Sequence, residues 1–147
     1  MEIKQINKNK KDYIDLLLLA DEQESMVDLY LDRGTMYALD DNGVKTICVV
    51  TDECEGILEI KNIATEPEYQ RMGYGKMLID YVSSQYAGKY KILQVGTGDC
   101  MLTISFYEEC GFKRSHIVEN FFTDNYDHEM YEDGVLLKDM VYLRKDL

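Results

Sequence analysis

Two glycines, Gly73 and Gly75, stand between an apolar strand-like run and an amphipathic helix, within Gln70-Arg71-Met72-Gly73-Tyr74-Gly75-Lys76. Upstream, residues 56–65 read as a β-strand, which Pro67 ends by removing an N–H donor and fixing φ. Downstream, Met77, Leu78, Tyr81 and Val82 recur at helical spacing and form one apolar stripe. Glycines without Cβ let successive N–H groups converge on an anion, and the first helical turn adds unpaired donors and a partial positive charge. The stretch is therefore expected to hold a pyrophosphate.

The better-known glycine loops do not fit. A Walker loop needs a Ser or Thr after its lysine to meet magnesium, and here Met77 follows Lys76. A dinucleotide fingerprint wants a small residue where Leu78 stands, and the second pair, Gly96-Thr97-Gly98, puts Met101 at that position. The spacing that fits is Gln/Arg-x-x-Gly-x-Gly/Ala. A further strand at 92–95, a short helix, and the run Phe106-Tyr107-Glu108-Glu109-Cys110-Gly111-Phe112 follow in order. With that run matching a Phe/Leu-Tyr-x-x-x-Gly-Phe signature, the sequence resembles the GCN5-related N-acetyltransferase (GNAT) superfamily.

At 147 residues with 46% hydrophobic side chains and a single proline, the chain suits one globular domain, 1–147. The run Leu16-Leu17-Leu18-Leu19-Ala20 is too short to span a bilayer and reads as the buried face of the first helix. With neither signal peptide nor lipidation motif recognised, a cytoplasmic location is expected and no membrane partner. Cys48, Cys54, Cys100 and Cys110 lack metal-ligand spacing, so no metal is expected and the thiols read as buried small hydrophobes. A net charge of −12 argues against nucleic acid and suits cationic partners, though it also serves plain solubility.

The expected order begins with a strand at 2–6, helices at 10–20 and 24–31 closed by Gly34, and a hairpin of 35–39 with 45–51. Asn42-Gly43 signals a type I′ turn between its strands. Strands at 112–122 and 135–143 close the chain. Residues 123–134 between them mix carboxylates, aromatics and His128 in a long hairpin loop, either a wall of the acceptor site or a surface turn. The fold class expected is α/β, a single-domain GNAT-like mixed twisted sheet of about seven strands with about four helices.

The resemblance implies an acetyl-CoA-dependent N-acetyltransferase that moves an acetyl group to a primary amine by direct transfer in a ternary complex. In the family the loop N–H groups, here those of Arg71, Met72, Gly73, Tyr74, Gly75 and Lys76, bind the cofactor's pyrophosphate, and Gln70 counts among the cofactor-binding residues. The pantetheine arm runs along strand backbone at Ile63, Ala64 and Thr65, where the fourth and fifth strands splay apart. Tyr107 occupies the signature position of a general acid, or else packs on the arm. Glu59 lies eleven residues before Gln70, the offset of the base in the histone-modifying branch. Its other reading is an ion pair with Lys61. The asparagine that often meets the arm is replaced by Asp99-Cys100, where the acid would cap the helix instead. His116 reads as structural and neither it nor His128 as catalytic. The acceptor is a small-molecule or peptide amine. A non-catalytic acyl-CoA sensor, a protein lysine or N-terminal acetyltransferase, and a homodimer all stay open.

Overall fold

A computed structural model describes all residues, Met1 to Leu147. Seven strands form one mixed sheet in the order β1(Glu2–Ile6), β2(Thr35–Asp40), β3(Val44–Asp52), β4(Ile57–Thr65), β5(Ile92–Gly98), β9(Met140–Asp146), β6(Lys113–Val118). Five helices accompany it: α1(Ile14–Ala20), α2(Glu24–Val27), α3(Tyr74–Tyr86), α4(Met101–Glu109) and α5(Phe121–Asn125). A separate ribbon pairs β7(Tyr131–Glu132) with β8(Val135–Leu136). Only β4 and β5 run parallel, because α3 returns the chain across one face between them. All other neighbours are antiparallel.

Two apolar clusters sandwich the sheet. On one face Leu78, Ile79 and Val82 of α3 and Ile104 and Tyr107 of α4 pack on Cys48, Val50, Leu58, Ile60, Leu93, Val95, Val141 and Leu143. On the other, Leu16, Leu17, Val27, Tyr30 and Leu31 cover Met36, Ala38, Ile47, Val49 and Ala64. Period-two alternation sends neighbouring strand residues to opposite faces. In β4 that alternation slips once. Val49 pairs with Asn62 and Val50 with Ile60, leaving Lys61 as an extra residue in a bulge. Leu58 and Ile60 therefore face α3, whereas Asn62 and Ala64 face α1.

Several expected boundaries shift. The helix expected over 10–20 begins as a 3-10 turn, Lys10–Tyr13, after Asn9 in the left-handed region, and becomes α1 only at Ile14. Lys10 there donates to the carbonyls of Leu31 and Gly34, pinning the turn. Leu16 and Leu17 are buried as expected, but Leu19 is half-exposed, since only one side of α1 meets the sheet. The helix expected over 24–31 is α2 followed by turns to Gly34, whose N–H donates to the Tyr30 carbonyl. The hairpin turns at Asn42 and Gly43, both at positive φ.

The strand expected over 112–122 stops at Val118. Asn120 turns at φ 57, its N–H donates to Asp139 Oδ1, and the Phe122 N–H donates to the Lys138 carbonyl, so Phe121 and Phe122 enter α5 instead. The strand expected over 135–143 divides into β8 and β9, because Leu137 turns inward: its N–H donates to Met130 and its side chain joins Phe122 and Met130 in a small third cluster. Residues 123–134 are thus no plain hairpin loop. They carry the end of α5 and all of β7.

Candidate functional site

The parallel pairing of β4 with β5 runs only from Ile57↔Ile92 to Ile60↔Val95. Beyond it β5 continues beside β9 to Gly98, while β4 keeps β3 alone. The sheet forks where the Lys61 bulge bends β4 away. From Asn62 to Thr65, including Ile63 and Ala64, β4 presents one side of its backbone to no strand, and an extended chain could add there. At the fork's end, Thr65 and Thr46 share a hydroxyl hydrogen bond of 2.9 Å, and Gln70 Nε2 donates to the Thr65 carbonyl at 3.1 Å. Gln70 thus acts through its side chain, tying the glycine loop to the end of β4.

The loop from Arg71 to Gly73 leads into α3 through left-handed backbone. Arg71 sits at φ 65 and Gly73, the N-cap of α3, at φ 87. The N–H groups of Arg71, Met72, Gly73, Tyr74, Gly75 and Lys76 donate to no main-chain or side-chain acceptor within the chain. A Cβ on Gly73 would meet no atom within 4 Å; one on Gly75 would stand 3.2 Å from Phe106 Cζ and 3.9 Å from Thr65 Oγ1. Gly73 is needed for its left-handed backbone, Gly75 for close approach of α3 to Phe106. Tyr74 donates to Asp41 Oδ2 at 2.6 Å, fastening the start of α3 to the β2–β3 hairpin. This donor set, opening on the free edge of β4, fits a pyrophosphate joined to an extended arm.

Tyr107 is buried, its ring edge-on to Phe106 and to Phe112. Burial raises its phenol pKa well above the ordinary value, with nearby Cys48 and Glu132 adding to the rise. Its hydroxyl has no partner in the chain and is not sealed in. Because Cys48 is the register partner of Ile63, that phenol lies at the fork. The phenol therefore keeps its proton near neutral pH and can donate it. The sequence did not single out two of its neighbours. Cys48, fully buried, has its thiol pushed up to about 12, which suppresses the thiolate a nucleophile needs. Glu132 accepts a hydrogen bond from the Thr103 hydroxyl of α4. A ribbon brings it there from across the chain, and no local spacing signals that.

Glu59 lies on the opposite face from Tyr107, 5% exposed. Lys61 Nζ approaches its carboxylate at 2.7 Å, and Gln94 Nε2 donates to it at 2.6 Å, itself oriented by Arg144 at 2.7 Å. The ion pair with Lys61 is present. Lys61 also reaches Glu53 at 3.6 Å, which Arg33 holds at 3.0 Å.

Asp99 does not cap α4: Cys100 is the N-cap, with no side-chain cap hydrogen bond. Cys100 and Cys110 are buried and Cys54 exposed. No three His, Cys, Asp or Glu side chains gather as a metal would require, and no helix is long and apolar enough to cross a membrane.

The segment after β6 is fastened to the α1–α2 turn. Tyr126 donates to Asp21 Oδ1 at 2.6 Å, the Asp127 N–H to Gln23 Oε1 at 3.1 Å, and His128 Nε2 meets Glu22 at 3.4 Å. Tyr30 also donates to Asp21 at 3.1 Å, and Asn62 Nδ2 bonds both Tyr30 and the Leu17 carbonyl. Burial raises the Asp21 pKa, and the two phenols oppose that rise. His128 is raised by Asp127 and then Glu22. Phe122, Tyr126, Asp127, His128, Glu129 and Leu137 line an open cleft of about 270 Å³. It lies beside the fork rather than in it, joined to the end of β5 through Leu137, against which a Gly98 Cβ would clash.

Residues 32–114 match the family described as the acetyltransferase (GNAT) domain. An uncharacterized N-acetyltransferase, YvbK, of Bacillus subtilis (strain 168) is 35% identical over 136 residues, 90% of this chain and 88% of its own. A GNAT family acetyltransferase from Elizabethkingia anophelis, solved with acetyl-CoA bound, superposes with a TM-score of 0.94 at 33% identity, over 99% of this chain and 97% of that one. An IAA acetyltransferase from Bacillus cereus ATCC 14579 gives a TM-score of 0.92 at 31% identity, over 99% of both chains.

Proposed function

This chain belongs to the GNAT family of acetyltransferases and is an N-acetyltransferase using acetyl-CoA; from that premise we propose that residues 1–147 act as one domain that acetylates a small cationic primary amine by direct transfer in a ternary complex. The observation that carries the acceptor class is the net charge of −12 over the whole chain. A focused acidic field concentrates amines. The Bacillus cereus relative, named an IAA acetyltransferase, supports a small-molecule acceptor.

When bound, acetyl-CoA supplies an activated acetyl thioester. The N–H groups of Arg71 through Lys76 hold the pyrophosphate, and the α3 N-terminus adds its partial charge. The β4 edge at Ile63, Ala64 and Thr65 aligns the arm as an added strand, and a β4 amide polarises the acyl oxygen. Tyr107 donates its phenolic proton to the departing thiolate from one face. Glu59 receives the proton of the amine on the other, with Lys61 and Gln94 fixing its orientation. The raised Cys48 thiol favours direct attack over a covalent acyl-enzyme.

The saturation of Glu59 by Lys61 and Gln94 favours a second reading, an acyl-CoA-binding module without turnover. One experiment separates them. The protein is incubated with acetyl-CoA and a panel of polyamines, aminoglycosides, amino acids and lysine peptides, and products are read by mass spectrometry. Gain of one acetyl group on a free small amine is the expected result. Acetylation of peptides alone would move the acceptor to protein lysine, and acetyl-CoA binding with no acetylated product would leave the sensor.

A further inference from the structure

The cleft of about 270 Å³ is tied to both arms of the fork, on the face opposite Tyr107. On the β5 arm Leu93 and Val95 face α3 and α4, so Gly96 and Gly98 face the other way. Leu137, which lines the cleft, fills the space that a Cβ on Gly98 would take. Met140 Sδ would stand 2.8 Å from a Cβ on Gly96, and the same side chain packs on Phe122, Met130 and Leu137. On the β4 arm Asn62 Nδ2 donates to the Tyr30 hydroxyl at 3.1 Å, and Tyr30 donates to Asp21 Oδ2 at 3.1 Å. Tyr126, a wall of the cleft, donates to Asp21 Oδ1 at 2.6 Å. The segment that carries the cleft thus bridges the mouth of the fork from arm to arm.

Depth and rim of the cleft differ in chemistry. Phe122, Met130 and Leu137 are buried and Tyr126 and Leu136 half-buried, so the deep lining is apolar. Asp127, His128 and Glu129 are exposed and form the rim. His128 is the only basic side chain in the lining, and Asp127 at 2.7 Å and Glu22 at 3.4 Å already engage it. Glu129 meets only the Tyr131 hydroxyl, at 3.5 Å. No cation is left to pair with a ligand carboxylate, whereas an ammonium would meet a net acidic rim. Apolar surface entering the depth would leave water for side chains of its own kind.

We propose that this cleft holds the body of the acceptor, a hydrophobic primary amine without a carboxylate, with its amino group projecting towards the fork. This rests on the reading of the chain as an acetyltransferase of small cationic amines. The apolar depth selects the body and the rim rejects a carboxylate. Polyamines and aminoglycosides carry too little continuous apolar surface to gain from such a lining. The segment after β6 thereby sets which amines reach the fork, and the glycine loop that faces the cofactor is untouched by that choice.

The test uses the full-length protein and measures kcat/KM for n-alkylamines from methylamine to hexylamine, for phenethylamine, and for phenylalanine, which adds a carboxylate to phenethylamine. Along the alkyl series kcat/KM should rise about threefold per methylene, and phenylalanine should fall at least about tenfold below phenethylamine. Leu136→Ala should raise the hexylamine KM about fivefold and leave those of methylamine and acetyl-CoA within about twofold. Glu129→Lys, at an exposed position of the rim, should close most of the gap between phenylalanine and phenethylamine. A flat alkyl series, acetylation of polyamines alone, or an equal rise in the methylamine and hexylamine KM values of Leu136→Ala overturns the cleft and leaves the amine reading standing. If Leu136→Ala fails to fold, the wild-type series and Glu129→Lys decide: a flat series or an unchanged phenylalanine gap overturns the proposal. A wild-type protein that acetylates no amine at all overturns the amine reading itself, and the cleft with it.

Discussion

The two faces of the sheet are finished in different ways. Under α3 and α4 an apolar cluster continues from β3 across β4 and β5 to β9, and Tyr107 is set into it. Under α1 and α2 the apolar cover ends at β4, and beyond it Glu59, Gln94, Arg144, Tyr142 and His116 lie in a polar row. The first face behaves as a core that also holds a phenol at the fork. The second leaves the fork open and charged. Under the proposed transfer, the apolar face would keep the phenol protonated for the leaving group and the polar face would meet the amine.

The comparison breaks most sharply at Leu78. Leu78→Ala, in the closed cluster, should cost about 3 kcal/mol of unfolding free energy in urea, whereas His116→Ala on the open face should stay within about 0.5 kcal/mol. Similar losses from both would mean the open face is core after all. Next, Tyr107→Phe should cut turnover about a hundredfold at saturating acetyl-CoA while binding it nearly as before. Unchanged turnover would reduce Tyr107 to a packing residue.

Two smaller effects sharpen the picture. Gly73→Ala forces a side chain into φ 87 with no steric neighbour. It should cost about 1 kcal/mol of stability from backbone strain and weaken CoA binding in calorimetry. Glu59→Gln should slow transfer about tenfold at neutral pH, with the deficit shrinking as alkali deprotonates the amine. A rate equal to wild type from about pH 6 to about pH 9 would exclude Glu59 as the base.

The smallest effect concerns Asp21. Its pKa is raised in the folded chain, so the fold binds its proton more tightly than the unfolded chain does. Its contribution is fully present below the unfolded value and is lost as pH rises through the folded one. Wild type should therefore gain stability relative to Asp21→Asn as acidity increases from neutral towards the ordinary carboxylate pKa, seen as converging or crossing denaturation midpoints.

The glycine loop and the elements on either side of it were legible in the sequence. Gly73 and Gly75 are demanded by backbone geometry within a few residues, and the strand before them and the stripe of Leu78 and Val82 after them follow from local periodicity. The segment after β6 was not. Phe121 and Phe122 are aromatic residues of the kind strands favour, but hydrogen bonds from Asn120 to Asp139 and from Phe122 to Lys138, farther along the chain, accompany their turn into α5. Asp99 has the chemistry of a cap and makes no cap hydrogen bond, because the N-cap position falls one residue later, on Cys100.

Taken by itself, the sequence determined the family resemblance, the mixed sheet, the position of the glycine loop and the candidacy of Tyr107 and Glu59. Each is encoded by side-chain period or by residues close together in the chain. Tertiary structure alone decided that Lys61 bulges and opens the fork, that Cys48 and Glu132 flank the phenol, that Lys61 and Gln94 clasp Glu59, and that Tyr142 lies on Gly96 against His116. Those relations join strands and ribbons distant in sequence, and their geometry is set by the register and twist of the whole sheet, which no local pattern carries.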